Sequence, residues 1–308
     1  MLDLVGKRFW FFYIAGAISL VCIIALGIFG LKPGVEFSSG SMVTINFEKT
    51  VSQSDLEQGL TSLGYASAIV QRDVVSGAYY IRLPQLTDPD KAKLEQDLTA
   101  TFGTLQESEF YSVSPMVASE TARNAGFAVA ISVVGILLYV AWAFRKMPSP
   151  FRYGTAAIIA LVHDTLVATG VFAILGALLN WQVDLMFITG ILAVIGYSVN
   201  NVVVVFDRIR ENVTLGISSD FATIVNNSLV ETLSRCLNTS LTTIFTLVAL
   251  LLFVGASIQN FVVVLIIGVI SGTFSSTCIA PTLLVVWEND EWGRFVSWLP
   301  LGSKARSG

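Results

Sequence analysis

Six long apolar runs dominate this 308-residue chain and constrain its fold more than any other feature. They are Phe9 to Leu31, Gly126 to Phe144, Gly154 to Leu179, Leu185 to Phe206, Leu229 to Val254 and Phe261 to Trp287. At about 1.5 Å of helical rise per residue, runs of this length cross a hydrocarbon core of roughly 30 Å. Hydrophobic residues form 54% of the sequence and charged residues only 13%, which excludes an ordinary soluble domain. The sequence therefore predicts an α-helical polytopic membrane protein with six transmembrane helices.

A long polar region separates the first run from the other five, so the spans are arranged as one plus five. The first run follows Lys7-Arg8 but exceeds the apolar core of a secretory signal, about 7 to 15 residues, and we expect an uncleaved anchor. The predicted domains are 1–31 for the cytoplasmic N-terminus and first helix, 32–123 for an outer domain, 124–287 for a five-helix membrane domain with cytoplasmic loops at 145–153 and 207–228, and 288–308 for a cytoplasmic tail.

The distribution of basic residues predicts the orientation of the spans. Basic residues precede the first run, separate the second from the third and follow the fourth, namely Lys7, Arg8, Arg145, Lys146, Arg152, Arg208 and Arg210. The connections 180–184 and 255–260 contain neither Lys nor Arg. Because cytoplasmic loops carry the excess of these residues, both termini are predicted to be cytoplasmic and residues 32–123 periplasmic or extracellular.

The outer region 32–123 predicts a ferredoxin-like α+β domain. The predicted elements are a strand from Val35 to Phe47, a helix from Ser54 to Leu63 capped by Ser52, a hairpin around Ser76-Gly77, a helix that Asp88 caps and Gly103 ends, and a strand from Glu107 to Val113. This β-α-β-β-α-β order is the ferredoxin-like arrangement. The segment from Lys32 to Glu120 contains twelve acidic and six basic residues. This excess of acid is expected either of a solvated surface or of a surface that binds a basic partner.

A helical pattern also occurs between the fourth and fifth runs. Ile217, Phe221, Ile224 and Val225 share one face of this pattern. The pattern predicts either an interfacial helix on the cytoplasmic leaflet or a helix that packs on a partner.

Polar side chains inside the apolar runs form the candidate site. The adjacent carboxamides of Asn200 and Asn201 need partners, because lipid offers no hydrogen bonds. At helical rise, Asp164 lies near the middle of its run, and Arg235 lies about as deep as Asn201. Such groups mark substrate, ion or proton pathways, so these residues are predicted to line one path. The supporting polar residues are His163, Ser198, Asn200, Thr239 and Thr243, with Asp207, Arg208 and Glu211 at the cytoplasmic end.

Structural roles stay open for several of these residues. Asn200 and Asn201 are equally consistent with hydrogen bonding between packed helices. Arg235 fits an anchor that reaches lipid phosphate, or a salt bridge to Glu231 four residues earlier. His163 is more typical of a hydrogen-bonded neighbour than of a proton carrier, and Asp207, Arg208 and Glu211 are typical of a topological anchor.

Other function classes lack support in the sequence. No nucleophile and base are paired on a loop, no glycine-rich phosphate loop is present, and no His/Cys set has metal-ligand spacing. The Lys and Arg residues form no basic patch of the kind that binds nucleic acid. We therefore expect neither an enzyme, nor a metal site, nor a nucleic-acid partner.

Five segments resemble those of the SecF members of the SecD/SecF family, which assists the bacterial Sec translocon. They are Gly34-Val-Glu-Phe-Ser-Ser-Gly40, Ala160-Leu-Val-His-Asp164, Gly196 to Asn212, Leu233 to Thr243 and Gly272 to Pro281. The third segment, with its Asn-Asn-Val-Val-Val-Val-Phe-Asp-Arg core, is highly specific. The resemblance covers essentially the whole chain.

The resemblance implies a six-span subunit of the bacterial cytoplasmic membrane, related to the resistance-nodulation-division transporters. It implies SecD, the SecYEG channel and a translocating unfolded polypeptide as partners in the lipid bilayer, with YajC as a further candidate. No cofactor is implied. The proton gradient supplies the energy for a motion of the outer domain that pulls the emerging polypeptide.

Three positions depart from the family pattern. The family has Asp at position 201, and that Asp belongs to the proton path together with the Arg at position 235. Asn201 cannot titrate, so it is either an engineered replacement or a natural variant. In a natural variant, Asp164 or an acid from SecD must carry the proton. Glu36 and Ser39 stand where the family has Asp and Gly, and we expect the backbone role of that segment to survive.

Two other functions stay open at this point. One is a small-molecule or lipid exporter half from the same superfamily, and the other is a scaffold subunit that transports nothing. Transport by the purified complex would favour the first, and export that persists without the proton gradient would favour the second.

Overall fold

The computed structural model describes residues 2–48, 51–72, 77–253 and 256–296. The elements in chain order are a 3₁₀ turn at Val5–Lys7, α1 Arg8–Phe29, α2 Val35–Ser38, β1 Gly40–Phe47, α3 Gln53–Ser62, β2 Ile69–Arg72, β3 Tyr79–Leu83, α4 Asp88–Phe102, β4 Leu105–Val113, α5 Pro115–Ala143, α6 Pro150–Leu179, α7 Leu185–Leu215, α8 Phe221–Phe253, α9 Ala256–Phe274, a π-helical turn at Ser275–Ile279, α10 Ala280–Glu288 and α11 Gly293–Val296.

Six helical segments in these ranges are long and apolar enough to cross a membrane, which confirms the predicted number of spans. They are Val5–Phe29, Pro115–Ala143, Pro150–Leu179, Leu185–Leu215, Phe221–Phe253 and Ile258–Glu288. In the third, fourth and sixth segments, 44%, 50% and 56% of the most apolar stretch is buried inside the protein. In the other three segments the buried share is only 11% to 17%. Thus α6, α7 and the last span form the centre of the membrane domain, and α1, α5 and α8 lie around it.

The membrane helices extend beyond the apolar runs, which corrects the cytoplasmic connection predicted at 207–228. Helix α7 continues to Leu215 and ends at Gly216, whose φ of 64° lies in the left-handed region that suits glycine. Helix α8 begins at Phe221, where the Asp220 carboxylate accepts hydrogen bonds from the backbone N–H and hydroxyl of Thr223 at 3.0 and 2.6 Å. Only residues 216–220 connect the two helices. The predicted interfacial helix is therefore wrong, since Phe221 to Val225 form the first turns of α8.

The last span changes its helical geometry along its length. Ser275–Ile279 form a π-helical turn between α9 and α10, and Pro281 is the second residue of α10. Proline has no backbone N–H to donate to the preceding turn, so the regular ladder of hydrogen bonds is interrupted there. A proline inside a span is expected to kink the helix, and here a π-helical turn precedes it.

The outer domain is the predicted ferredoxin-like fold. Its four strands form an antiparallel sheet in the order β2-β3-β1-β4, with β1 between β3 and β4. The helices α3 and α4 each place leucines in the core. The fully buried core side chains are Val43, Ile45, Leu56, Leu60, Ile81, Leu94 and Leu98. The alternating burial of β1 shows that one face of the sheet carries this core.

Several local predictions in the outer domain are corrected. Residues Val35–Ser38 form a helical turn, and the first strand begins at Gly40, because Ser39 with φ of 62° breaks the extended run. The residue that caps α4 is Thr87 and not the predicted Asp88, which is the first residue of the helix. The backbone N–H and the hydroxyl of Thr87 donate to the Asp90 carboxylate at 3.2 and 2.6 Å. The predicted cap at Ser52 is confirmed, since its hydroxyl oxygen accepts a hydrogen bond from the backbone N–H of Asp55 at 3.1 Å. Ser76 of the predicted hairpin lies outside the described residues.

The outer domain contacts the membrane domain through a short parallel bridge. The backbone N–H of Gly34 donates to the carbonyl of Val183 at 2.6 Å, and the N–H of Val183 donates to the carbonyl of Lys32 at 2.8 Å. A side chain at position 34 would place its Cβ 2.8 Å from that Val183 carbonyl, so only glycine permits this approach. Arg82 of β3 donates to the Pro33 carbonyl and to the Gln182 side chain. We call this group of contacts the junction.

Candidate functional site

Asp164 forms the centre of a polar cluster inside the membrane domain. Its side chain is fully buried in the middle of α6. Ser198 of α7 donates to Oδ2 at 2.6 Å, Ser271 of α9 donates to Oδ1 at 2.7 Å, and Ser275 of the π turn donates to Oδ2 at 2.6 Å. Three spans therefore meet at one carboxylate.

A glycine allows the last span to come this close. A Cβ at Gly272 would lie 3.3 Å from the Cβ of Ser198 and 3.5 Å from Oδ2 of Asp164. Gly272 follows Ser271 directly and precedes Ser275 by three residues, so the backbone approaches the carboxylate while both serines reach it. Small residues of this kind bring membrane helices into close contact.

His163 is a neighbour of this cluster. Its Nδ1 lies 3.2 Å from Oδ1 of Asp164, and its ring lies 6.2 Å from the ring of Phe274 between centroids. The Nε2 atom is buried and has no hydrogen-bond partner among the described residues. This placement fits the prediction of a hydrogen-bonded neighbour, although the second nitrogen is unsatisfied.

The two asparagines of α7 have different environments. Asn201 is 2% exposed, and its Nδ2 has no hydrogen-bond partner in the part of the chain that is described. It lies three residues after Ser198, so both side chains occupy the same face of the helix. Asn200 is exposed and lies on another face. The structure therefore brings Asn201 to the inner face of α7 and leaves Asn200 outside.

Arg235 does not join this cluster, so the structure does not bring it together with Asn201 and Asp164 in the single path that the sequence predicts. It is exposed on α8 and lines a surface cavity of about 270 Å³ with Asp207, Arg208 and Glu211. Within the described ranges Arg235 makes no ion pair. The alternative partner Glu231 binds Arg208 at 2.6 Å instead. The buried face of α8 carries Thr232, Cys236 and Ser240, so position 235 points away from it.

The charged residues that the sequence predicts at the cytoplasmic end connect α7 to α8. Arg208 donates to Glu231 of α8 and to Glu211 of its own helix, both at 2.6 Å. Asn212 donates to the Ser228 hydroxyl at 2.9 Å and to Glu231 at 3.0 Å. Asp207 is exposed and pairs with Arg210 at 2.5 Å. The predicted residues thus form a charged connection between two spans.

The predicted threonines of α8 are peripheral. Thr239 is exposed, and its hydroxyl donates to the backbone carbonyl of Arg235 in the same helix. Thr243 likewise donates to the carbonyl of Thr239, and the Tyr197 hydroxyl contacts it at 3.5 Å. The buried contact between spans is made by Ser240, which accepts from Thr273 at 2.6 Å.

Ser271 and Ser275 are the site residues that the sequence analysis missed. A signal was available, because hydroxyl side chains are concentrated between Ser271 and Thr277 in an otherwise apolar run. The sequence alone did not show which of these hydroxyls faces Asp164.

Comparisons with known proteins identify the family of the chain. The family model described as "Protein export membrane protein SecD/SecF, C-terminal" matches residues 93–290, and the model described as "SecD/SecF GG Motif" matches residues 24–51. The first of these models covers more than half of the chain. The second includes Gly34 of the junction.

Named relatives cover nearly the whole chain. The protein translocase subunit SecF of Thermobaculum terrenum is 44% identical over 305 residues, covering 96% of each chain. The SecF of Anaerolinea thermophila is 38% identical and covers 100% of each chain. The protein translocase subunit SecDF of Bacillus subtilis is 33% identical over 94% of this chain, but this chain covers only 38% of that longer protein.

A solved structure has the same fold. The crystal structure of SecDF from Thermus thermophilus, described as a translocon-associated membrane protein, superposes with a TM-score of 0.82 and 30% sequence identity. The match covers 94% of this chain, which spans 39% of the SecDF chain. The chain therefore belongs to the SecF members of the SecD/SecF family of protein-export membrane proteins.

Proposed function

We propose that this chain uses the proton gradient, together with SecD, to move its outer domain and pull a translocating unfolded polypeptide. As a member of the SecF family it is an accessory subunit of Sec protein export in the inner membrane. SecDF relatives contain a SecD part and a SecF part in one chain, which implies association with SecD. We further propose the SecYEG channel and YajC as partners, cytoplasmic termini and a periplasmic outer domain.

The observation that carries this proposal is the buried carboxylate of Asp164. It lies where three spans meet, with three serine hydroxyls donating to it. Ionisable groups inside a membrane domain are costly and usually serve ion or proton transfer. Asn201 cannot titrate and Arg235 lies on the surface of the chain, so Asp164 is the acid that this subunit would contribute to the path.

A change of charge at Asp164 would act on the packing of spans. The ionised carboxylate holds α7 and the last span through hydrogen bonds that are stronger than those of a neutral acid. Protonation weakens these bonds and shifts the balance between two packed arrangements. Since α7 begins at the junction with the outer domain, such a shift would reach that domain through residues 182–184.

The test is proton-dependent export by membrane vesicles that contain the complex of this chain with SecD and the translocon. Asp164→Asn should abolish the part of export that depends on the proton gradient, because the amide cannot take up a proton. Asp55→Asn, an exposed acid of the outer domain, should leave that part unchanged. Export that remains fully proton-dependent in Asp164→Asn would contradict the proposal, and export that never depends on the gradient would favour a scaffold role.

A further inference from the structure

The hydrogen bonds around Asp164 must differ between its two charge states. An ionised carboxylate accepts hydrogen bonds and donates none, and all three serine hydroxyls point to it as donors. Oδ2 receives two of them, from Ser198 and Ser275. If a proton binds to Oδ2, this oxygen becomes a donor, so one of the two serines must turn and accept.

Ser275 is the serine that can turn. Its hydroxyl lies 2.6 Å from Oδ2 of Asp164 and also 3.3 Å from the carbonyl oxygen of Gly272. Ser198 has Asp164 as its hydroxyl acceptor and no second acceptor in the described part of the chain. A turn of the Ser275 hydroxyl towards Gly272 keeps its proton bonded, whereas a turn of Ser198 would leave a buried donor unsatisfied, which is costly.

Ser275 also begins the least regular segment of the last span. The π-helical turn Ser275–Ile279 precedes Pro281, which cannot donate a backbone hydrogen bond. Threonine hydroxyls bond to backbone carbonyls on both sides, from Thr277 to Thr273 at 2.7 Å and from Thr282 to Cys278 at 2.5 Å. π-helical turns are frequently found at functional sites, and this one lies between two regular helices. A change at Ser275 therefore acts on a deformable part of the span.

We propose that Ser275 is a positioning residue that switches its hydroxyl from Asp164 to the Gly272 carbonyl when Asp164 binds a proton, and thereby transmits the charge of Asp164 to the π-helical turn. The proton joins Oδ2, which then donates to Oγ of Ser275, while Ser275 keeps its own proton. The inference rests on the proposed function only in assuming that Asp164 exchanges protons.

Few other described groups contact this carboxylate directly. His163 is the neighbouring titratable side chain, with Nδ1 3.2 Å from Oδ1. From α7 and the last span, the side chains that bond to Asp164 in the described ranges are serines. No Lys or Arg forms an ion pair with it there. The switch therefore depends on one acid, one histidine and three hydroxyls.

The experiment uses the complex of the full chain with SecD in lipid nanodiscs at a series of pH values. Infrared spectroscopy follows the C=O band of the protonated Asp164, identified by its loss in Asp164→Asn. Hydrogen exchange follows the backbone amides of residues 276–280. In the native complex we expect the exchange rate, corrected for the intrinsic dependence of amide exchange on pH, to change about fivefold over the pH range in which the band titrates, the ratio given by one hydrogen bond of ordinary strength.

Three variants separate positioning from simple packing. In Ser275→Ala the band should still titrate, but the exchange of residues 276–280 should no longer follow it. Ser275→Thr restores the hydroxyl and should restore the link. Ser276→Ala is the matched control, because this buried neighbour bonds only to the Thr273 carbonyl among the described contacts and should behave as the native chain.

Each contrary outcome has a separate meaning. Exchange that follows the band equally well in Ser275→Ala, or that is independent of pH in the native complex, overturns the role of Ser275. A carboxyl band that does not titrate overturns proton exchange at Asp164, and with it both this inference and the site of the proposed function. If Asp164→Asn loses proton-dependent export but Ser275→Ala has no effect on exchange, the proposed function stands and the role of Ser275 is excluded.

Discussion

Ser39 has a backbone conformation that glycine adopts far more easily than serine. Its φ of 62° and ψ of 164° lie in a region that residues with a Cβ rarely enter. The residue separates the helical turn α2 from the first strand, where the resemblance to SecF implies glycine. The surrounding contacts hold this conformation, since Ser38 donates to the Gly34 carbonyl and β1 pairs on both sides.

We expect Ser39→Gly to raise the free energy of unfolding by about 1 kcal/mol. Removal of the strain gains about 1 to 3 kcal/mol, and the greater freedom of glycine in the unfolded chain offsets about 0.5 to 1 kcal/mol of that gain. Thermal unfolding of the full chain in detergent measures the change. Ser54→Gly, at an exposed α-helical position of α3, should have the opposite sign. Destabilisation by Ser39→Gly would show that the serine side chain, and not the backbone, determines stability there.

Asn201 provides a second test at the scale of one residue. Its buried Nδ2 has no hydrogen-bond partner among the residues that the structure describes, so the present side chain already carries an unsatisfied donor there. Asn201→Asp removes that donor and adds a titratable acid on the same face of α7 as Ser198. We expect proton-dependent export in vesicles to rise, with the increase confined to conditions that have a proton gradient. Unchanged export and unchanged proton conductance would exclude position 201 from the path in this chain.

The junction links the outer domain to the membrane spans. Two acids lie beside it, Glu36 and Asp184, and the pKa of each is raised. Burial raises the pKa of Glu36, and the nearby Asp184 raises it further, while a backbone hydrogen bond and Arg82 act in the opposite direction. Burial also raises the pKa of Asp184, against the hydrogen bonds from Phe187 and Asn260 that lower it. Both acids line a cavity of about 250 Å³ between the two domains.

These directions determine how the stability of the junction depends on pH. Because the closed junction raises both pKa values above the ordinary 4.5 and 3.8, it binds protons more tightly than an open, solvated junction. Protonation therefore stabilises closure. The stabilisation of the closed junction by bound protons is complete at pH values below the ordinary pKa values. It is lost as the pH rises through the raised pKa values of Glu36 and Asp184. Hydrogen exchange at residues 32–40 and 180–188, corrected for intrinsic rates, should be faster at pH 8 than at pH 5.

A neutral replacement of one acid checks this dependence. Glu36→Gln imitates the protonated side chain, so exchange at the junction should become slower at pH 8 and depend less on pH. Glu57→Gln removes an exposed acid on α3 and should leave the dependence intact. A junction whose exchange is equally pH-dependent in Glu36→Gln would exclude Glu36 as the titrating group.

The elements follow from the sequence wherever apolar length or a strong cap specifies them. The six spans and the Ser52 cap are such cases, because each depends on residues next to one another in the chain. The helical turn α2 was not predicted, since Gly34 to Gly40 form it around contacts with Val183 in another domain. Extension of α8 to Phe221 was missed because its first turns resemble a surface helix in composition.

The candidate site was only partly predictable for a geometric reason. Depth along a helix follows from residue count, so the central position of Asp164 could be estimated. The direction of a side chain around the helix does not follow from depth. Arg235 matches Asn201 in depth but lies on the outer surface of α8, and Ser275 faces Asp164 from a span whose orientation no pattern specified.

At the scale of the whole molecule, α8 presents a polar stripe that the described chain leaves uncovered. Arg235, Asn238, Thr239 and Thr242 are exposed and lie on one side of this helix, at the spacing of three and four residues. A span with so many polar groups facing hydrocarbon is unfavourable unless another protein surface covers them. Because SecDF relatives imply association with SecD, we expect SecD to cover this stripe.

Asn238→Leu should weaken the association with SecD by about threefold to tenfold, the range expected from loss of a polar contact between membrane helices. Titration of fluorescently labelled SecD into nanodiscs that contain this chain measures the affinity. Asn124→Leu makes the same replacement at an exposed position of α5 and should leave the affinity unchanged. If both variants bind SecD equally well, the stripe on α8 faces another partner or a water-filled path, and the orientation of the two subunits must differ from the one expected here.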